Sequence, residues 1–342
     1  MRSMAQPRRV GTVVVLLVPL LLAAPARCEA PRVAHDNWGE YRAYICRYAE
    51  VPPVIDGRLD DVCWAQADLS QGFHPRNADR YTFAEPRTDL RMCYDASALY
   101  IAFRCVEPNA GALPTQVLRR DFDVYTEDMV GLIIDVGHWR GFHYDIELAV
   151  DAAGTQYDFG WGLEEAWNGE WTAATQRDAG EGWWSAEFRI PYSDTRRRAE
   201  KGDLWGIQLF RWRYAGGAEE VSIWSPVPAS WNIKFWEALT FGHLLFETGD
   251  EILRESVREV AEHLWGQREE ALRLAERSSD AQGNRARVEE VFAGLNALQE
   301  TAAKGLALTG DEWSEALHRA AQLETELADI IWPLRIEELF AQ

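Results

Sequence analysis

Trp161, Trp167, Trp171, Trp183 and Trp184 fall within residues 158–188 of a chain that holds 16 tryptophans in 342 residues. Rings at this density either fill a core or offer a flat apolar face to a ligand. Alternation sorts some of them. In "WWSAEFRI", Trp184, Ala186, Phe188 and Ile190 share one strand face, opposite Trp183, Ser185, Glu187 and Arg189. Trp184 is therefore expected in the core, and Trp183 at a core edge or on the surface. Trp161 and Trp167 sit in the loop-like "GWGLEEAWNGE", where a surface platform and a buried plug are both open readings.

Other residues that could do chemistry are less organised. There is no HExxH, GxSxG, P-loop or dinucleotide fingerprint, and the seven histidines are scattered. His138 and His143 read as flanks of a hairpin turn before they read as zinc ligands. A glycosidase needs two carboxylates placed across one bond, and no spacing singles out such a pair. A noncatalytic role is the expectation.

The elements that would position these residues have two textures, changing near Gly249. From Tyr41 to about Phe246 the runs are short and β-like. "FHYDIELAVD" sends Phe142, Tyr144, Ile146, Leu148 and Val150 to one face, while "MVGLIID" is apolar on both faces and suits a central strand. Turn punctuation such as "DAGEG" and "YAGGAEE" separates the runs, so the expected fold is mainly β: an antiparallel β-sandwich of jelly-roll or immunoglobulin-like type. After Asp250, Leu253, Val257, Val260, Leu264, Ala271 and Leu274 trace a helical stripe. Breaks at "SSDAQGN" and "ALTGD" divide this part into three helices. Thr309, Gly310 and Asp311 supply the capping region of the last, and Pro333 is expected to kink or end it.

The opening thirty residues combine Arg2, Arg8 and Arg9 with an apolar run from Val13 to Ala24 and small residues around Ala26 and Ala30, the layout of a secretory leader. The expected organisation is leader 1–30, β domain 31–248 and helical extension 249–342, in a secreted or periplasmic protein. Loss of the leader removes four arginines and one glutamate, leaving 31 basic and 54 acidic residues, a net charge of −23. That charge disfavours nucleic acid and anionic membranes, and no later stretch is apolar enough to span a bilayer. Cys46, Cys63, Cys93 and Cys105 follow the leader; one or two disulfides and buried free thiols fit them equally. Counting outward from the turn at Ala96 and Ser97 sets Cys93 opposite residues near Tyr100, so a direct Cys93–Cys105 bridge is out of register.

Taken in order, "VPPVIDGRLDDVCWAQA", "TDLRMCYDASALYIAFRC", "YTEDMVGLIIDVG", "YDIELAVDAAGTQYD", "GWWSAEFRIPY" and "LWGIQLFRWR" resemble carbohydrate-binding module family 9 over residues 41 to 246. The resemblance implies that two aromatic rings sandwich a sugar at a chain's reducing end, because a pyranose presents a C–H face to a ring and hydroxyls to a polar rim. By position, one ring is Trp231 in "PASWN", with Trp236 in "NIKFWEALT" as a second candidate. The other is Tyr125, three residues before Asp128, where the family has tryptophan. Two polar family positions are replaced, by Gly131 and Ala149.

The resemblance also implies a possible structural calcium near Asp56, Asp60 and Asp61, although a solvated turn or helix cap is the expected role there. Asp128 and Asp135 match family acids and are expected to be structural. The reading that follows is noncatalytic binding of oligo- or polysaccharide, supporting polysaccharide breakdown or surface attachment, with residues 249–342 meeting a protein partner or a second copy. The alternatives are an envelope protein that kept the fold without the sugar, and a haem-binding relative using Met92 or Met129 with a histidine.

Overall fold

The computed structural model describes residues 41–76, 78–121, 124–141, 145–160, 167–227 and 234–340. The leader, Trp161, His143 and Trp231 lie outside the described residues.

In chain order the elements are β1 (Ala43–Tyr48), a short helix α1 (Val62–Gln66), β2 (Ser70–Gln71), β3 (His74–Pro75), β4 (Thr88–Tyr94), β5 (Ala98–Val106), β6 (Met129–Asp135), β7 (Ile146–Asp151), β8 (Gln156–Gly160), β9 (Thr172–Asp178), β10 (Trp183–Pro191), α2 (Tyr192–Thr195), β11 (Leu204–Arg213), β12 (Glu220–Ile223) and β13 (Gly242–Phe246), then α3 (Asp250–Arg277), α4 (Ala281–Ala302) and α5 (Gly310–Phe340). The main path runs β8-β7-β6-β11-β13-β1-β4-β5-β10-β9. The sheet is mixed and nearly closed, which corrects the expected wholly antiparallel sandwich. The difference lies in β1. Ala43–Cys46 pair in parallel with His243–Phe246 of β13, and Arg47 and Tyr48 pair in parallel with Cys93 and Tyr94 of β4. Side-chain alternation reports which face a residue takes but not which strand lies beside it, so this neighbour choice left no trace in the pattern.

The free ends of the path approach each other. Trp171 of the β8–β9 connection donates from Nε1 to Asp158 of β8 at 2.6 Å, and Thr175 of β9 donates to the Ala152 carbonyl at 3.3 Å. The enclosed core takes Val130, Leu132 and Ile134 from β6, Leu99, Ile101 and Phe103 from β5, and Trp184 and Phe188 from β10. Trp184 is buried, as its apolar companions require, and Trp171 stacks on Phe188 at 5.5 Å and 10°. Trp183, on the opposite face, is half-buried under the Arg104 guanidinium at 3.6 Å. Cys93 pairs with Tyr100 and Cys105 with Thr88, and the four described cysteines are buried free thiols.

One buried carboxylate fixes the first segment to this barrel-like sheet. Glu187 of β10 accepts the Asp56 and Gly57 amides at 2.9 and 2.7 Å on Oε2 and the Trp64 indole N–H at 2.7 Å on Oε1. Ser185 donates to the Gly57 carbonyl at 2.6 Å. Gly57 has φ +86°, and a Cβ there would stand 2.8 Å from the Thr175 carbonyl carbon. The Ile-Asp-Gly and Trp landmarks are thus a clasp. Asp56 and Asp61 accept the Arg58 and Val54 amides, and Asp128 and Asp135 accept those of Tyr214 and Arg140. Among the described residues no group of three or more His, Cys, Asp or Glu is placed to hold a metal ion.

The helices carry the expected stripe inward, with Leu253, Val257, Val260, Leu264, Ala271 and Leu274 all buried. Their core is continuous with Ala43 and Ile45 of β1 and Leu245 of β13. Thr309 and Glu312 form a capping box: the Thr309 amide donates to Glu312 at 2.9 Å and the Glu312 amide to Thr309 Oγ1 at 3.2 Å. From that cap, Trp313 Nε1 reaches the Gly249 carbonyl at 2.6 Å and Ser314 the Tyr41 carbonyl at 2.5 Å. A Cβ on Gly310 would lie 2.1 Å from the Ala43 carbonyl oxygen. Pro333 does not end α5, which continues to Phe340; Pro333 is exposed, where water can satisfy the carbonyl it frees.

Glu187→Ala would leave three N–H donors without their acceptor and should cost roughly 3–5 kcal/mol, read by denaturant unfolding, with a smaller loss for Glu187→Gln. Acid should act through His74, whose imidazole is held down to about 4 by burial. Between that value and the ordinary 6.5 the unfolded chain binds the extra proton, so His74 withdraws stability as pH falls from 6.5 towards 4. The fall in stability between pH 6.5 and 5 should be shallower in His74→Gln than in the parent; equal slopes would refute this role.

Candidate functional site

Tyr125 stands in a single helical turn, residues 124–126, just before β6. Its hydroxyl donates to Glu147 of β7, and its ring meets Tyr157 of β8 edge-on at 5.6 Å and Trp212 of β11 at 5.2 Å. Trp212 in turn lies 5.7 Å from Phe235, and Phe235 lies edge-on to Trp236 at 5.1 Å. Tyr157, Tyr125, Trp212, Phe235 and Trp236 thus form one unbroken row of rings over the outer face of β6, β7 and β11. The row has a buried middle and open ends. Trp212 and Phe235 are buried, Tyr125 and Tyr157 half-buried, and Trp236 is 38% exposed.

Local sequence explains the row. Along β11, Leu209 faces the enclosed core while Phe210 and Trp212 face outward; β6 sends Val130, Leu132 and Ile134 in and Met129 and Ile133 out. Each end has a polar neighbour. Glu147 takes the Tyr125 hydroxyl, and the Lys234 ammonium sits 4.9 Å from the Trp236 ring centroid. The Tyr125 carbonyl accepts the Tyr214 hydroxyl at 2.7 Å, which anchors the turn.

The structure therefore unites two of the three sequence candidates, Tyr125 and Trp236, on one aromatic surface; Trp231 is outside the described residues. Tyr157 and Phe235 escaped the sequence reading, although "IQLFRWRY" already showed Phe210 and Trp212 on one face. Gly131 and Ala149 lie opposite each other in the β6–β7 ladder. The Phe210 ring occupies the space above Gly131, and a Cβ there would come within 2.4 Å of it. The outer side of position 131 is thus taken up by an apolar ring. Of the other candidates, Trp167 packs on the enclosed core, and Met92 and Met129 are fully buried in separate apolar clusters.

No family model matches the chain, and no curated protein matches it in sequence. Among solved structures, the chain is similar to a carbohydrate binding module family 9 protein from Caldicellulosiruptor kristjanssonii in complex with cellotriose, at 18% identity and TM-score 0.44, over 60% of this chain and 94% of that one. The same organism's module in complex with glucose matches at 18% identity and TM-score 0.43, over 60% and 95% of the two chains. A protein from Bacteroides uniformis matches at 13% identity and TM-score 0.47, over 60% and 100%. The first two belong to the family that the sequence motifs resemble.

Because Phe210 fills the space above it, position 131 should refuse any larger side chain, an acidic one above all. Gly131→Ala should cost about 1–3 kcal/mol by overpacking, and Gly131→Glu more. Thermal unfolding of both variants checks this, and an unchanged midpoint for Gly131→Glu would mean that Phe210 moves aside freely.

Proposed function

We propose that this chain is a noncatalytic carbohydrate-binding protein whose sugar contacts lie on the aromatic row between Tyr125 and Trp236, joined by Trp231 as the family resemblance implies. The observation that carries this reading is the row itself. Rings packed edge to face or tilted on one another hold their neighbours' orientation, so the half-open faces along the row are ordered before a ligand arrives, and less ordering entropy is lost on stacking. Hydroxyls at the sugar rim would find Glu147 at one end and Lys234 at the other. With Gly131 and Ala149 in place of polar side chains, binding relies more on stacking than on hydrogen bonds, which favours tolerance among sugars of similar face over strict selection.

In this reading the leader exports the protein, and the β domain keeps it on polysaccharide as an accessory to breakdown or as a surface attachment. No helix among the described residues is long and apolar enough to cross a membrane. The helical extension, residues 249–342, would couple the sugar-binding face to a partner protein or a second copy. The exposed Trp332, Ile336, Leu339 and Phe340 near the end of α5 are the residues available for that contact.

Calorimetric titration with cellobiose, xylobiose and their borohydride-reduced forms tests the reading. Binding is expected, with Trp236→Ala and Tyr125→Ala each weakening it roughly tenfold, about 1.5 kcal/mol of lost stacking, without loss of the folded transition. Absence of heat with every sugar from folded protein would favour the ligand-free envelope role instead.

A further inference from the structure

A second surface, away from the aromatic row, has the features of a ligand site. Where the start of α5 meets the sheet there is a hollow of about 290 Å³, close to the lower size of small-molecule sites. Another, of about 210 Å³, opens beside it, and Phe83 lines both. Tyr81 and Phe83 at the rim are 69% and 53% exposed. Two open rings within three residues would ordinarily be loop accidents, but these are held.

Asp79 accepts the Tyr81 and Thr82 amides and the Thr82 hydroxyl, all at 2.9 Å. The Ala84 amide is bonded to the Phe73 carbonyl at 2.7 Å, and the Phe83 ring lies 4.7 Å from the His74 ring, tilted by 31°. The loop is thus tied at its start, middle and end, which presents the rings in advance of any ligand.

The polar walls narrow the chemistry. Arg42 reaches Asp311 through Nε and Nη2 at 3.0 and 2.7 Å, and Arg80 pairs with Glu315 at 3.0 Å. Two guanidinium groups face two carboxylates, so neither an anion nor a cation is favoured. A neutral ligand rich in hydroxyls can bond to both signs and lay a C–H face on the rings. The second hollow, lined by Arg211, repeats the pattern: Arg213 and Glu220 in its wall pair at 2.6 Å, so it too offers both signs to a neutral ligand.

We propose that the paired hollows on either side of Phe83 form a second binding site for a neutral oligosaccharide, completed by Asp311 and Glu315 of α5. One sugar unit stacks at Tyr81 and Phe83 on the α5 side, and the chain continues over Phe83 towards Arg211. The site uses none of the residues of the Tyr125–Trp236 row, so the two stand or fall separately. Because both carboxylates of the first hollow, Asp311 and Glu315, come from α5, sugar binding here also favours the docked helix.

The test uses the full chain with cellohexaose and xylohexaose. Hydrogen exchange of backbone amides 79–85 is followed with and without sugar, in the parent, Trp236→Ala and Tyr81→Ala, with thermal unfolding to confirm that each variant is folded. The expected result is slowed exchange at 79–85 in the parent and in Trp236→Ala, and at least a tenfold higher sugar concentration for the same effect in Tyr81→Ala. Unchanged exchange at 79–85 with both hexaoses in the parent overturns the second site, whether or not Trp236 supports binding elsewhere. Protection that vanishes in Trp236→Ala but persists in Tyr81→Ala also overturns it.

Discussion

The structure turns on β1, six residues that belong to both halves of the sheet and carry the helices as well. Tyr44 and Cys46 point into the enclosed core, while Ala43 and Ile45 are covered by the helical cluster. Tyr44 fixes the strand's depth, its hydroxyl accepting the Met92 amide at 2.7 Å and donating to the Asp68 carbonyl. A strand with both faces buried and both edges paired has no freedom of register, since a slip of one residue would exchange its two faces. The neighbours inherit that precision. β13 and β4 are positioned by it directly, and α5 is positioned by the close approach of Gly310 to Ala43.

Buried charge completes what β1 begins. Glu107, at the end of β5, accepts from Arg211 at 3.0 Å and from Arg213 at 2.7 and 3.1 Å, tying one half of the sheet to the other. With Glu187 the molecule therefore places two buried carboxylates where strands or segments distant in sequence must meet. Such groups are expensive to bury alone, which makes them selective: an arrangement lacking their donors is penalised more than an apolar contact would be. The aromatic row on the outer face depends on the same frame, because β11 carries Arg211 on one side and Phe210 and Trp212 on the other.

Faces were legible in the sequence, and neighbours were not. Alternation put Trp184 inward and recognised β6 as apolar on both sides; within one hairpin, counting from the turn also set Cys93 near Tyr100. The helical stripe and the Thr309 cap were equally plain, because their signals are local. The parallel pairing of β1, the clasp around Glu187 and the Phe210 ring above Gly131 all join residues remote in sequence, and a repeat of period two or 3.6 holds no information about them. The candidate site divides in the same way. Tyr125 and Trp236 came from motif position, whereas the rings that link them needed the folded sheet. Pro333 shows the reverse case, a strong local signal to stop overridden by an exposed position on a long packed helix.

The docking of α5 on β1 also bears on the order of events as the chain is made. Tyr41 and Ser314, which share a hydrogen bond, are 273 positions apart, and β1 must wait for β13 before one edge is paired and for the helices before its outer face is covered. Contacts of such long range close slowly, since the loop entropy is lost before the contact returns anything. Among the described residues the first strand cannot settle until the last helix is available, so the sheet closes late in folding, and a change that weakens α5 is felt at the opposite end of the chain.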